Sequence, residues 1–114
     1  MGILRFEVLL LEEAERFLEE IDPKAKRKFL VQLKRATESL DPKIFKKLDG
    51  TLWEFRMEHA RLQHRLIAFW DKKGNGLALV IATHGFIKKT DKVPLKELDR
   101  AYRIRSNYYL EKND

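Results

Sequence analysis

The stretch "TLWEFRM" (51–57), followed three residues later by "RLQHRLIAFW" (61–70), decides the fold. Trp53, Phe55 and Met57 alternate with Glu54, Arg56 and Glu58, the period of two expected of a strand with one buried face. The second segment reads as a neighbouring strand. Next comes "LALVIATHGFI" (77–87), apolar on both faces, as in a central strand covered on both sides at its start. Between these two strands, Asp71-Lys72-Lys73-Gly74-Asn75-Gly76 has the residues of a hairpin loop. An antiparallel meander of three strands results.

Working outward, residues 3–9, "ILRFEVL", roughly alternate and read as a first strand, which joins the sheet because a lone strand leaves its backbone unsatisfied. From Leu10 the apolar residues Ala14, Phe17, Leu18 and Ile21 recur at helical steps between glutamates. Asp22-Pro23 ends that helix and starts another, whose stripe is Phe29, Leu33, Ala36 and Leu40, ending at Asp41-Pro42. "KIFKKLDG" (43–50) reads as a short connection with a turn at Gly50. Pro94 opens a last helix through about Leu110, with Leu98, Ala101, Arg105 and Tyr108 on one side. The expected fold is α+β: an N-terminal strand, a helical hairpin, a three-strand meander and a C-terminal helix, in one domain over residues 1–114. One sheet carries its helices on one face. The polar set of residues 54–58 belongs on the other, partly open face.

The 114 residues suit a single core, and the absence of cysteine excludes a disulfide framework and any thiolate metal site. No stretch is apolar enough for a membrane span, and the N-terminus lacks the features of a signal peptide, so a cytoplasmic protein is expected. The net charge of +6 is unevenly placed. Residues 50–90 hold seven Lys or Arg, three Asp or Glu and all three histidines, whereas the segments on either side are each near balance. Such a region attracts phosphate chains and acidic proteins alike.

His59, His64 and His84 lie on separate segments without a metal-ligand spacing, so neither metal nor cofactor is expected. Gly74-Asn75-Gly76 leads into a strand, not a helix, and Ser39 and Ser106 lie within helices, which disfavours phosphate loops and serine nucleophiles. What remains is basic. Glu54 and Arg56 share a strand face, Arg61 and Arg65 lie on the next strand, and His84, Phe86 and Lys88 share a face of the third. An arginine amid "HRLIAFW" is costly unless it is paired or faces a cleft. One reading is an internal Glu54–Arg65 or Glu54–Arg56 ion pair that sets register. The other is RNA cleavage through the ribose 2′-hydroxyl, which needs a proton acceptor, charge on the phosphate and a proton donor. Glu54 or His84 is the acceptor in that scheme, Arg supplies the forked donor, Lys88 and Lys89 add charge, and Phe86 offers a stacking plane.

"LDGTLWEFRM", "HRLIAFW" and "HGFIKKTDKVPLKELDRAYRIRSNY" resemble the HigB-like, phage-derived branch of the RelE/ParE toxin superfamily. The resemblance covers the whole domain and is strongest over residues 48–105. It implies the toxin of a type II toxin–antitoxin pair, an mRNA endonuclease that cuts in the ribosomal A site and halts translation. By motif position Glu54, Arg56, Arg65, Phe86, Lys88 and Lys89 match the signature residues. Arg65 is then the contact to the transition-state phosphate, and Lys88 and Lys89 hold the RNA backbone. His84 is an acid or base, or else a support for the strand. Arg61 and Arg105 join the RNA-binding set, although the last helix, with Tyr102, Arg103, Tyr108 and Tyr109, also suits packing with a cationic face. The implied partners are a HigA-like helix-turn-helix antitoxin, the ribosome and mRNA, with operator DNA touched only through the antitoxin. A ParE-like gyrase inhibitor and a non-cleaving RNA- or ribosome-binding module are the alternatives.

Overall fold

A computed structural model describes residues 5–39, 41–71 and 78–112. The predicted 71–76 loop beyond Asp71, and Ile3, Leu4, Leu40 and Leu77 of the predicted elements, lie outside the described residues. In chain order the elements are β1 (Phe6–Leu10), α1 (Glu12–Glu20), α2 (Pro23–Glu38), β2 (Phe45–Asp49), β3 (Leu52–His59), β4 (Leu62–Asp71), β5 (Ala78–Lys88) and α3 (Leu95–Lys112). The five strands form one mixed sheet in the order β1-β5-β4-β3-β2, with β1 parallel to β5 and every other pair antiparallel. Asp22 caps α2 as its sequence predicts: its carboxylate accepts from the Lys24 amide at 2.9 Å, and Pro23 occupies the first turn, where no amide is needed.

Two expectations are corrected. "KIFKKLDG" is not a plain connection, since Phe45–Asp49 pairs with β3 and lengthens the meander to four strands. Nor do all helices share one face. Along β4, Leu66 and Ala68 pack in the cluster with Ala14, Leu18, Phe29 and Leu33 of α1 and α2, whereas Ile67 and Phe69 pack with Ala101 and Leu98 of α3. The physical reason lies in β5, where Val80 and Ala82 face one way and Ile81 the other, all fully buried. Both faces need cover, and α3 supplies the second. Fully burying Phe29 or Phe55 contributes roughly 1.5–3 kcal/mol each by transfer from water.

α3 covers only one end of its face. It is pinned there by Tyr102, whose hydroxyl donates to the Asp49 carboxylate at 3.0 Å, and by Glu97, 3.0 Å from the Nε2 of His84. At the other end, β3, β4 and β5 run on past the helix. The two-residue turn joining β3 to β4 places Ala60 at φ 51° and Arg61 at φ 66°, the left-handed region that hairpin turns of this length require and that side chains disfavour.

Candidate functional site

Strand register builds the uncovered end of the sheet row by row. Glu54, Ile67 and His84 lie side by side across β3, β4 and β5. Arg56, Arg65 and Phe86 form the next row, and Glu58, Gln63 and Lys88 the last. From β2, Lys46 lies opposite Glu54. The alternation in "LWEFRME" therefore delivers Glu54 and Arg56 to this face, as expected, and sends Trp53, Phe55 and Met57 to the other. Reaching the same face from β5 takes a bulge at Thr83.

Glu54 is the hub. One of its oxygens, Oε1, lies 3.1 Å from Nε of Arg65 and 3.4 Å from Nε of Arg56. Arg65 is locked in place, since its Nη1 also donates to the His64 carbonyl at 3.0 Å and to the Gln63 side chain at 3.3 Å. The internal ion pair considered from the sequence is thus present, in both of its forms. Arg65 is only 2% exposed and Glu54 3%, and burial lowers the pKa of the Arg65 guanidinium despite the facing carboxylate. Arg56 keeps 31% of its side chain open. The phosphate contact expected of Arg65 is therefore corrected: the accessible guanidinium is Arg56, with Arg65 beneath it as the residue that positions Glu54.

Two clefts meet at Arg56. One, of about 320 Å³, is floored by Glu54 and Arg56 and rimmed by Lys46, Lys88, Asp91 and Lys92. The other, of about 620 Å³, passes round the end of β2 towards α2 and carries Lys28, Arg35, Lys43 and Arg65 against Asp41 and Glu58. Sequence reasoning missed Lys46 because it took residues 43–50 for a connection. Reading Phe45–Asp49 as an edge strand would have placed Lys46 across from Glu54. Lys28 and Arg35 repeat on one side of α2, a cationic stripe left unassigned in the sequence.

The other expected residues are scattered. His84 is fully buried; its Nε2 faces Glu97, and its Nδ1 lies 3.1 Å from the Thr83 hydroxyl. Burial lowers its pKa, and the imidazole supports β5 and α3 rather than meeting a ligand, which corrects its placement among the acid–base residues. Phe86 is half-buried, 6.1 Å from the His84 ring. Lys88 is half-buried at the rim, and Lys89 is exposed just beyond it. Arg61 is exposed at the hairpin tip. Arg105 lies at the opposite end, over the rings of Phe69 and Tyr109 at 5.5 and 5.1 Å, and does not join the cluster. Of the remaining histidines, His64 is buried beside Phe17 and Phe29, and His59 lies 4.0 Å from Asp22.

Among the described residues no group of three or more His, Cys, Asp or Glu is placed to hold a metal ion, and no described helix is long and apolar enough to cross a membrane. Comparison with curated proteins gives no match. Residues 16–106, which include the second half of α1, all of α2, β2–β5 and most of α3, match the family model "Phage derived protein Gp49-like (DUF891)". The chain belongs to the phage-derived Gp49-like family, which is related to the RelE/ParE toxin superfamily.

Proposed function

We propose that this chain is the toxin of a type II toxin–antitoxin pair, of the HigB-like kind, and that it cuts mRNA on the ribosome without a metal. The observation that carries this reading is the cleft where Glu54 and Arg56 lie under a rim of Lys46, Lys88 and Lys92. A ribose–phosphate link laid there meets a carboxylate beside a half-exposed guanidinium. Glu54 takes the proton of the 2′-hydroxyl as that oxygen bonds to phosphorus. Arg56 and Lys88 neutralise the charge growing on the non-bridging oxygens. A rim lysine gives its proton to the departing 5′-oxygen, so the products are a 2′,3′-cyclic phosphate and a 5′-hydroxyl. Lys89 and Arg61 extend the cationic surface along the strand. The partner is a helix-turn-helix antitoxin whose acidic segment suits the same basic surface, with operator DNA bound only through it. The cytoplasm, with the ribosome and mRNA, is the place of action.

A second reading is a module that occupies RNA or the ribosome without cutting it. It is favoured by one observation: Glu54 and His84, the two proton acceptors foreseen, are both buried. Primer extension on a translated mRNA separates the two. Cleavage gives new 5′ ends, which Arg56→Ala reduces by about 10²–10³-fold, the usual loss when one transition-state donor is removed. Stalled ribosomes without new ends would establish the second reading instead.

A further inference from the structure

Beside the Gly50 turn, a cleft of about 680 Å³ opens between Trp53, Trp70, Tyr109, Arg105 and Lys47. Lys47 lines both this cleft and the one holding Glu54, so the two adjoin, but Glu54 and Arg56 are not in its walls, and Trp53 and Trp70 pack on the face of the sheet opposite Glu54. Its volume is that of a small-molecule site. Three features set it apart from the other clefts. Its walls are aromatic, with the two indoles 5.9 Å apart at 80° and Phe45 stacked on Trp53 at 5.0 Å. Among the described residues that line it, the charged groups are all cationic. Arg105 and Lys47 have no carboxylate partner among the described residues.

Arg105 is also held in advance. Its guanidinium rests over the rings of Phe69 and Tyr109, and its buried Nε has no hydrogen-bond partner. Cation–π contacts fix the plane of the group without using its N–H donors, which leaves the fork for an oxyanion. Indole faces beside a fixed guanidinium and a lysine fit a ligand that has both a planar ring and a phosphate. We propose that this cleft binds a nucleoside phosphate, either a free nucleotide or one nucleotide of an RNA chain. The base lies against the indoles and the phosphate meets Arg105 and Lys47. An acidic peptide would satisfy the cations but leave the aromatic walls without a flat partner. The proposal does not depend on the cleavage reading.

Trp53 and Trp70 are the only two tryptophans of the chain, so intrinsic fluorescence reports on the cleft itself. The full-length protein is titrated with adenosine 5′-monophosphate, adenosine, a single-stranded RNA hexamer and hexaglutamate. Saturable quenching by the nucleotide is expected, with adenosine at least tenfold weaker. Lys47→Ala, an exposed position that leaves the packing intact, weakens the nucleotide at least fivefold, and Arg105→Gln does so more strongly. Arg56→Ala leaves it unchanged while cutting cleavage by about 10²–10³-fold, so the two sites fail or survive separately. A hexamer at least tenfold tighter than the mononucleotide assigns the cleft to an RNA chain, and equal affinities assign it to the free nucleotide. Equal quenching by adenosine and its phosphate, quenching by hexaglutamate alone, no saturable response, or a Lys47→Ala protein that binds like wild type overturns the proposal.

Discussion

Replacing Arg65 with methionine keeps most of the side chain's volume but removes the charge facing Glu54. The carboxylate, 4% exposed, then retains only the Arg56 Nε at 3.4 Å. Stranding one partner of a buried pair costs about 3–5 kcal/mol, and the remaining guanidinium holds the loss near ~3 kcal/mol. Glu54→Gln is expected to cost a similar ~3 kcal/mol, because it leaves two guanidiniums at directly paired positions with no anion between them. In the double variant only Arg56 remains charged, and it is partly solvated. Its cost is therefore about that of either single change, which gives a coupling energy of ~3 kcal/mol, at the upper end for contacting residues. Urea denaturation followed by circular dichroism measures all four proteins. At a slope of about 2 kcal/mol per molar, each single variant loses ~1.5 M in its midpoint. If the single costs simply add in the double variant, or if Arg65→Met costs under ~1 kcal/mol, the buried hub does not hold the sheet as described.

Other variants probe the scaffold. A Cβ at Gly85 would lie 2.3 Å from a ring carbon of Phe17, so Gly85→Ala should cost about 1–3 kcal/mol in thermal or urea unfolding; a neutral result would mean α1 does not press on β5 there. Arg61→Gly relieves a φ of 66° and should stabilise the protein by about 1 kcal/mol; destabilisation would show that the turn is not left-handed. Burial lowers the pKa of both His64 and His84 below the ordinary imidazole value of about 6.5. The unfolded chain therefore binds more protons just below that pH, and stability should fall as pH drops from about 6.5 towards the folded values. His64→Phe, in its aromatic surroundings, should flatten that slope, and a wild-type stability that rises on acidification would refute the assignment.

Much of this could be read from the chain because hydrophobic period and face burial coincide. β3 shows it most clearly, with Phe55 and Met57 buried under α1 and α2 and Arg56 and Glu58 turned away. β2 was hidden for the opposite reason. An edge strand with Lys46 and Lys47 side by side and a register shift before Asp49 has no buried alternation to read. The side on which α3 packs was implicit in Ile81, which needed cover on the face away from Val80 and Ala82, but an 18-residue helix with Ala101 as its one buried residue gives little sign of where it docks. Site residue types were legible, and so was the Glu54–Arg65 pair. Depth was not. Whether a guanidinium in "HRLIAFW" reaches solvent depends on neighbours from two other strands, which spacing along one strand does not encode.

Thr83 repays a closer look. Before it, even-numbered residues of β5 such as Val80 and Ala82 point towards α1 and α2; after it, odd-numbered Gly85 does so, and His84, Phe86 and Lys88 turn the opposite way. The register slips between Ile67 and Ala68 on the facing strand, and the Thr83 hydroxyl fastens the kink to the Ile67 carbonyl at 3.1 Å. This one supernumerary residue acts as a parity switch. Were the same residues paired regularly, with Thr83 in its own place opposite Ile67, the rest of β5 would turn over, driving an ammonium group and a phenyl ring towards the helical hairpin and emptying the basic face. Deleting Thr83 would only close the bulge and keep these faces, whereas losing the Gly85 codon would turn Phe86 and Lys88 over, so that a copy of this gene keeps its composition and loses its surface.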